Sequence, residues 1–164
     1  VINSQRGKLC LFKLDDKSGV IEASVDEATL NAHKDLLKDD EFVVLTARVQ
    51  QDRFSGGLRA KVQKVWGLAD ARCRFGRYLQ VSTTEKMPDV QRLLREFPAK
   101  REDTEHGSIQ HGLKVRLGVR CQSELGAALV ELQLGDDSRF FPSDAALAAW
   151  CAEAGSGHST VVYE

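Results

Sequence analysis

The chain has 164 residues, of which 42% are hydrophobic and 29% are charged, an ordinary globular mixture for one medium domain or two small ones. The formal net charge is −1, so the total charge predicts no partner. The sequence shows no signal peptide and no apolar run long enough to span a bilayer, so we expect a cytoplasmic protein without membrane contact.

The first half of the chain is predicted to be mainly strands. Alternating apolar residues predict strands at 8–14, 20–25, 41–50 and 58–66. The segment DDKSG at 15–19 predicts a turn in which Gly19 supplies a positive φ, and 26–37 has the spacing of a short helix with acids at its start. The residues expected to point inward are Ile21, Ala23, Val25, Val43, Leu45, Ala47, Val49, Leu58, Ala60 and Val62.

The end of the last of these strands breaks the alternation. Val65 and Trp66 are neighbours and both are suited to burial, so we expect a bulge at 64–66. The order strand, strand, helix, strand, strand predicts a five-stranded OB-fold barrel, provided that one more strand precedes it. Val1 is not a methionine, and 1–8 has the pattern of a strand end and a loop. We therefore expect a piece of a longer protein whose first strand is partly missing.

The second half is predicted to be a small α+β domain. A helix over 67–76 leads into it, and an amphipathic helix follows over 87–97 with the apolar stripe Val90, Leu93, Leu94 and Phe97. Ser143 is expected to cap a helix over 144–155, with Leu147, Trp150, Cys151 and Ala154 on its apolar side. Strands are expected at 77–83, 113–121, 125–135, 139–141 and 159–164, an exposed loop at 98–112, and domains at 1–76 and 77–164.

Charge is distributed less evenly than its total implies. Acidic residues dominate 15–41 and basic residues dominate 48–77, so a polyanion would feel a local positive field. Within this zone the stretch QDRFSGGLRAKVQKVW predicts a hairpin tip followed by a basic strand. Period-two spacing puts Arg59 and Lys61 on one outward face, with Arg48 on the neighbouring strand.

This hairpin is a candidate nucleic-acid site. A basic ridge attracts phosphate, Gly56 and Gly57 permit a tight turn or a close approach of the ligand, and an aromatic residue at a tip, here Phe54, stacks on bases. In an OB fold the hairpin is the loop between strands four and five, which commonly holds oligonucleotides. The alternative is an exposed basic strand that serves only solubility, with Phe54 folded back on the barrel.

At these motifs a family resemblance becomes specific. The stretch RGKLCLFKLDDKSGVIEASV, followed by VVLTARVQQDRFSGGLRAKVQKVWGLADAR, resembles the C-terminal OB region of the bacterial DNA polymerase III alpha subunit. FFPSDAALAAW resembles a strand, PSD and helix pattern in the last domain of that subunit, which binds the tau subunit of the clamp loader. The resemblance covers nearly the whole chain and is stronger over 6–76 than over 77–164.

The resemblance implies a location and two partners. It implies that 1–76 lies near the single-stranded template, that 77–164 tethers the polymerase to tau, and that the setting is the bacterial cytoplasm. Leu11 stands where OB nucleic-acid binders often have an aromatic residue, which leaves electrostatics and Phe54 to make the contact. The residues that the motif carries over to single-stranded DNA are Arg53, Phe54, Ser55, Gly56 and Gly57, with Lys13, Arg48, Arg59 and Lys61 on the neighbouring strands.

The tail departs from the family. Its end is often a glutamine-led hydrophobic peptide that resembles a sliding-clamp motif, whereas HSTVVYE has His158 in the glutamine position, which argues against clamp binding. A strand that adds to tau, or packs within its own domain, fits better. Candidate tau contacts are Phe141, Trp150, His158, Val161, Val162 and Tyr163; Phe141 and Trp150 also stand where core side chains are expected.

The sequence carries no pattern of a catalytic or metal site. The acidic pairs at 15–16, 39–40 and 136–137 lie in turn signals, and no cysteine has zinc-ligand spacing near His106 or His111. The cysteines, Cys10, Cys73, Cys121 and Cys151, are expected to be free thiols, with two disulfides as the alternative. We therefore expect no catalysis and no cofactor in this chain, with DNA-directed polymerase activity in the parent protein upstream.

Two other functions fit part of the pattern. The first is a protein-interaction module whose OB barrel no longer binds nucleic acid. The second is an OB nucleic-acid module of another class, such as an anticodon-binding domain, which leaves 77–164 unexplained.

Overall fold

The chain folds into two compact units, Val1–Leu68 and Ala69–Glu164. The computed structural model describes residues 2–4, 7–52, 56–84, 87–105, 107–124, 126–155 and 157–163. The boundary between the units lies eight residues before the predicted one, which followed residue 76. The helix at this point packs with the second unit, because the Arg72 guanidinium donates to the carbonyl of Pro142 at 3.0 Å and pairs with Asp144 at 2.6 Å.

The first unit is a five-stranded sheet with one short helix. Its strands pair in the order β1-β2-β3-β5-β4, and β3 and β5 run parallel whereas the other pairs are antiparallel. The outer strands β1 and β4 do not pair with each other in the described part of the chain, so the sheet is open there and the closed barrel is not observed. The elements are β1 Ile2–Ser4, β2 Gly7–Asp15, β3 Val20–Asp26, α1 Glu27–Ala32, β4 Val43–Gln51 and β5 Leu58–Gly67.

The inner face of this sheet holds the core that alternation predicted. Ala23, Val25, Ala60, Val62 and Val65 are buried and pack with half-buried neighbours on the other strands. Val49 and Leu58 were also expected to be inside, but they are 55% and 64% exposed. Both lie at the hairpin end, where β4 is the outer strand of the sheet, so apolar residues there lack a covering neighbour.

A β-bulge in β5 allows Val62 and Val65 to be buried on the same face, although they are three positions apart. The pairing passes from Thr46 opposite Lys64 directly to Ala47 opposite Val62, which leaves Gln63 without a partner. The extra residue shifts the alternation by one, so that Val62 and Val65 are both buried. The bulge was expected at 64–66 and lies one residue earlier.

The loop regions of the first unit differ from expectation in two places. The helix predicted over 26–37 ends at Ala32; Asp26 caps its start by accepting from the Thr29 amide, and after His33 the chain continues in turns. In the turn at 15–19 the left-handed residue is Lys17, with φ 69°, and not Gly19. The Asp16 carboxylate holds this turn by accepting from the Ser18 and Gly19 amides.

The second unit is a mixed four-stranded sheet covered by helices. The strand order is β10-β9-β6-β11, with β6 and β9 parallel. A separate hairpin pairs β7 with β8. The elements are α2 Leu68–Phe75, β6 Tyr78–Thr83, α3 Val90–Glu96, β7 Lys100–Thr104, β8 Gly107–His111, β9 Lys114–Ser123, β10 Gly126–Gln133, α4 Asp144–Glu153 and β11 His158–Val162.

The core of this unit lies between the sheet and the two helices α3 and α4. Leu79, Val81, Val115 and Leu117 come from the central strands, and Leu93 comes from α3. The α4 helix adds Ala146, Trp150 and Ala154, and Ser143 caps it by accepting from the Ala146 amide, as predicted. The mainly β first half and the α+β second half predicted from the sequence are thus confirmed.

Three details of the second unit correct the sequence analysis. The polar segment 98–112, expected to be a loop, forms the β7–β8 hairpin, all of whose β7 residues are exposed. The expected strand 139–141 reduces to isolated bridges at Phe140. Cys151, expected on the apolar side of α4, is exposed, and Ala146 takes that place. Short polar strands lack the apolar alternation from which strands are recognised.

The tail strand β11 joins the sheet immediately after α4. His158 lies opposite Ser82 and Val162 opposite Tyr78 in antiparallel register with β6. Gly157, just before the strand, passes so close to β6 that a Cβ atom at this position would overlap the Ser82 carbonyl. The approach of the tail to the sheet therefore depends on glycine.

Candidate nucleic-acid interface and partner surface

The outward face of the first sheet is organised in two rows of residues that cross four strands. The register places residues on the same face wherever they are direct partners in neighbouring strands. The first row is Leu11, Ser24, Lys61 and Arg48, and the second is Lys13, Glu22, Arg59 and Gln50. The candidate cations Lys13, Arg48, Arg59 and Lys61 thus lie together on one face, as the period-two spacing predicted.

Arg48 and Lys61 form a pair of exposed cations on this face. They are direct cross-strand partners, and both side chains are exposed. Among the described residues neither is within ion-pair distance of a carboxylate. Like charges directly opposite each other in a sheet destabilise it, so this placement is unfavourable for folding alone.

The positive field of Lys61 extends to a neighbouring carboxyl group. The pKa of Asp26 is lowered mainly by the hydrogen bond from the Thr29 amide, and the charge of Lys61 lowers it further. Lys13, in the second row, is exposed on β2. The face therefore presents three exposed cations from three strands.

Arg59 differs from the other three cations. Its Nε and Nη2 donate to Glu22 Oε2 at 3.0 and 2.6 Å, and Nη2 lies 3.2 Å from Asp52 Oδ2. Its side chain is only 20% exposed. The hydrogen bond to Glu22, with the nearby charge of Asp52, raises the pKa of Arg59. Arg59 therefore lies on the outward face as predicted, but two carboxylates already hold it, and its assignment to the DNA site stays a prediction.

The hairpin tip is closed by its own backbone. The Asp52 amide donates to the Gly57 carbonyl at 2.7 Å, and the Gly56 amide donates to the Asp52 carbonyl at 2.9 Å. Gly56 has φ 73°, a conformation that favours glycine, as expected for the turn. Arg53, Phe54 and Ser55 lie outside the described residues, so their assignment to the DNA site stays a prediction.

Sequence reasoning missed the two acidic residues of this site. Glu22 lies beside Arg59 across the β3–β5 pair, and Asp52 closes the hairpin with its side chain 8% exposed. Glu22 is 37 positions away from Arg59 in the chain. The only available signal was its outward position in the predicted strand 20–25, since the parallel β3–β5 pairing that joins the two cannot be read from the local pattern.

One of the aromatic residues proposed as partner contacts is in the core. Trp150 is fully buried, with its ring centroid 5.6 Å from that of Phe140, so it is not available as a surface anchor in this fold. Phe141 is half-buried, and its ring lies under the Lys100 ammonium at 3.8 Å from the centroid. Phe141 therefore stays a candidate contact, shared with a cation.

The tail residues occupy an outer strand of the second sheet. Val161 packs against the core and Val162 is half-buried, whereas His158 and Tyr163 are exposed. Of the two arrangements considered for the tail, the described residues show packing within its own unit. The exposed residues and the outer edge of β11 are what the tail offers to a partner.

The acidic pairs serve turns. Asp15 accepts from the Lys17 amide at 2.8 Å, Asp40 has φ 62°, and Asp136 pairs with Lys114. No three side chains suited to a metal ion come together in the part of the chain that the structure describes. All four cysteines are free thiols. None of the described helices is long and apolar enough to cross a membrane.

The chain is similar in sequence to curated proteins over most of its length. No family model matches the chain. Curated relatives named DNA polymerase III subunit alpha match it: that of Vibrio cholerae is 29% identical over 148 residues, 90% of this chain, and that of Escherichia coli K12 is 29% identical over 145 residues, 88% of this chain. The subunit of Pseudomonas aeruginosa is 39% identical over 79 residues, 48% of this chain.

The chain is much shorter than these relatives. It spans 12% of the length of the first two and 7% of the third, in the C-terminal part of the alpha subunit. The resemblance drawn from the motifs is confirmed. Because the match covers about nine-tenths of the chain, it includes both units.

Proposed function

We propose that this chain, a homologue of a C-terminal part of the bacterial DNA polymerase III alpha subunit, takes part in replication without catalysing nucleotide transfer itself. The first unit binds single-stranded DNA on the outward face of its sheet and at the Asp52–Gly57 hairpin. The second unit tethers the polymerase to the tau subunit of the clamp loader. The homology supports the replicative setting.

The observation that carries the DNA role is the Arg48–Lys61 pair. Two exposed cations face each other across a strand pair, and among the described residues neither is held in an ion pair, although the charge of Asp26 acts on Lys61 from beyond ion-pair distance. This arrangement is unfavourable unless an anion binds. The strand order with parallel β3 and β5, and the helix between β3 and β4, support an OB fold, whose corresponding face and hairpin hold oligonucleotides.

A salt series of oligonucleotide titrations tests this role. Fluorescent oligothymidylate is titrated with the wild type, Arg48→Ala and Lys61→Ala at several salt concentrations. Each phosphate contact contributes about 0.7 to the slope of log K against log salt for a single strand, so each variant should bind more weakly and lose about that much slope. Arg95→Ala, which removes an exposed cation of α3 in the second unit, is the control and should match the wild type.

The rival reading is an interaction module without nucleic-acid affinity. One observation favours it: Glu22 and Asp52 neutralise Arg59, which reduces the net charge of the face. This rival predicts no salt-sensitive binding of oligothymidylate by the wild type, and that result would refute the DNA role. We do not propose an anticodon-binding module, because the matched relatives cover the second unit as well.

The tau role is argued from the outer strand of the second unit. The exposed side chains of His158 and Tyr163 flank the outer edge of β11, which pairs with no further strand among the described residues and so has backbone groups available for strand addition. Pull-down with tau should therefore weaken for Tyr163→Ala and for His158→Ala. Thr160→Ala changes another exposed position of the same strand and serves as the control; equal capture of tau by all three variants and the wild type would refute this surface.

A further inference from the structure

The side chain of Arg59 connects the base of the Asp52–Gly57 hairpin to the neighbouring strand β3. Arg59, the second residue of β5, reaches across to Glu22 on β3 and back to Asp52 at the start of the hairpin. Its guanidinium thus bridges one carboxylate of β3 and one at the start of the hairpin. A planar fork of donors suits such a bridge, whereas the point charge of a lysine does not.

Asp52 requires this partner. Its side chain is 8% exposed, and a buried carboxylate is costly unless a cation and hydrogen bonds compensate it. The backbone of the same residue closes the hairpin, since its amide donates to Gly57 and its carbonyl accepts from Gly56. Whatever fixes the side chain of Asp52 therefore also fixes the base of the hairpin.

For Arg59 to bind a phosphate it would have to give up at least one of these carboxylates. Arg48 and Lys61 meet no such competition, because they are exposed and no ion pair holds them among the described residues. The four cations of the face therefore fall into two kinds. Three are available to an anion, and one is committed to the fold.

We propose that Arg59 is a positioning residue that orients the hairpin for single-stranded DNA by bridging Glu22 and Asp52, and that it does not itself contact the nucleic acid. The DNA part of this inference rests on the proposed function. Arg59 acts on binding through the hairpin base that Asp52 and Gly57 close.

Variants that remove the carboxylates distinguish positioning from direct contact, because the two roles predict opposite changes in the affinity for oligothymidylate. Asp52→Asn and Glu22→Gln each make the face more positive. If Arg59 contacts phosphate, both variants free it and should bind oligothymidylate more tightly. If Arg59 positions the hairpin, both should bind more weakly, by about fivefold or more if one stacked base is lost. Asp35→Asn removes an exposed carboxylate elsewhere in the unit and reports the general effect of charge.

Variants of Arg59 itself give a second readout. Arg59→Ala should weaken binding at one salt concentration, yet leave the slope of log K against log salt unchanged, whereas Lys61→Ala lowers that slope by about 0.7. Arg59→Lys keeps the charge but loses the fork, so it should resemble Arg59→Ala. A lowered slope in Arg59→Ala, together with wild-type binding by Arg59→Lys, would overturn the inference. Arg92→Ala, which removes an arginine paired with two carboxylates in the second unit, is the matched control.

Hydrogen exchange measured without DNA tests whether Arg59 positions the hairpin, independently of whether the protein binds DNA. Protection of the Asp52 and Gly56 amides should fall in Arg59→Ala, Arg59→Lys and Asp52→Asn, while protection of the β9 amides stays unchanged and shows that the variants are folded. Unchanged protection of both hairpin amides would refute the positioning role, even if the protein binds DNA. Lost protection in a protein that binds no oligonucleotide would instead retain the positioning role and refute the DNA function.

Discussion

At the scale of single residues, Trp150 shows how burial decides a role. Aromatic residues are common both in cores and at interfaces, so the sequence left both roles open for it. The structure buries it completely beside Phe140 and leaves its indole Nε1 without a hydrogen-bond partner among the described residues. An unpaired buried N–H is unfavourable, whereas the ring packing is strongly favourable.

Two substitutions separate these contributions of Trp150. Trp150→Ala should lower the free energy of unfolding by about 3–5 kcal/mol, because it leaves a large cavity in the core. Trp150→Phe should cost much less, since it retains most of the ring contact and removes the unpaired donor. Urea unfolding followed by circular dichroism measures both, and equal losses for the two variants would contradict the assignment.

The cysteines differ in reactivity for a reason that only the structure reveals. Burial, with a smaller effect from Asp70, raises the pKa of the Cys73 thiol to about 11. At pH 8 only about one Cys73 thiol in a thousand is then the reactive thiolate. Iodoacetamide at pH 8 should therefore modify the exposed Cys121 and Cys151 well before Cys73, as mass spectrometry of timed samples can show.

The pH dependence of Cys73 has a definite sign. The folded state holds the thiol proton more tightly than the unfolded state, so Cys73 contributes stability below its unfolded pKa, about 8.5, and loses it as the pH rises towards 11. Cys73→Ala should remove this part of the alkaline loss of stability. Alkylation of Cys73 at the rate of Cys121 at pH 8 would contradict the raised pKa.

Strand periodicity predicted which side chains of the site point outward, but it could not predict which residues those side chains contact. Spacing placed Lys61 outward and Arg48 beside it, and both are exposed partners in the structure. The same spacing placed Arg59 outward but could not show its contacts, since Glu22 becomes its neighbour only through a parallel strand pair. Ion pairs between distant segments follow from topology and not from local pattern.

At the scale of elements, the bulge at Gln63 sets the register of the basic strand. Because Gln63 has no partner in β4, the residues on its two sides keep Val62 and Val65 inside and Lys61 and Lys64 outside. The sequence indicated a bulge from two adjacent buryable residues, yet the extra residue is the polar one before them. Apolar residues show that an irregularity must exist, but several positions satisfy the same pattern.

Deletion of Gln63 tests the importance of the bulge. Without it Lys64 would follow Val62 directly, and regular alternation would keep Val62 and Val65 inside and Lys64 outside, so the first unit should stay folded and lose less than about 2 kcal/mol of unfolding free energy. Gln63→Ala keeps the bulge and should change stability by less than about 0.5 kcal/mol. Thermal unfolding compares the two, and a deletion variant that fails to fold would show that the sheet needs the extra residue itself and not only the pairing on its two sides.

Most elements with apolar periodicity were predicted near their observed bounds, and the elements without it were missed. The α3 and α4 helices carry clear stripes, and Ser143 accepts the expected amide hydrogen bond at the start of α4, while Asp89, which was not predicted as a cap, does the same for α3. The β7–β8 hairpin has few apolar residues, so no alternation marked it. The predicted helix 26–37 shortened because its second half forms turns, although Leu36 and Leu37 still pack against the core.

At the scale of the whole molecule, the two units divide the proposed roles. The candidate DNA face lies entirely within Val1–Leu68, and the candidate tau surface lies within Ala69–Glu164. A near-neutral total charge is compatible with this division, since the cationic face needs only a local excess. Function therefore has to be assigned to each unit separately.

The division predicts that the two binding activities can be lost independently. The double variant Arg48→Ala with Lys61→Ala should reduce oligothymidylate affinity at low salt and leave the capture of tau unchanged. Tyr163→Ala should do the reverse. Parallel titration and pull-down on the same preparations test this, and a loss of both activities in either variant would contradict the division.

Because Gly157 has no side chain, a substitution at this one position can detach the tail strand from the sheet. Because a methyl group at this position would collide with the Ser82 carbonyl, Gly157→Ala should peel the last strand from the domain while its amino acids remain present. A deletion removes both the peptide and its anchorage. This one-carbon change would instead free the peptide, and so would show whether a partner recognises the tail as loose chain or as part of a formed surface.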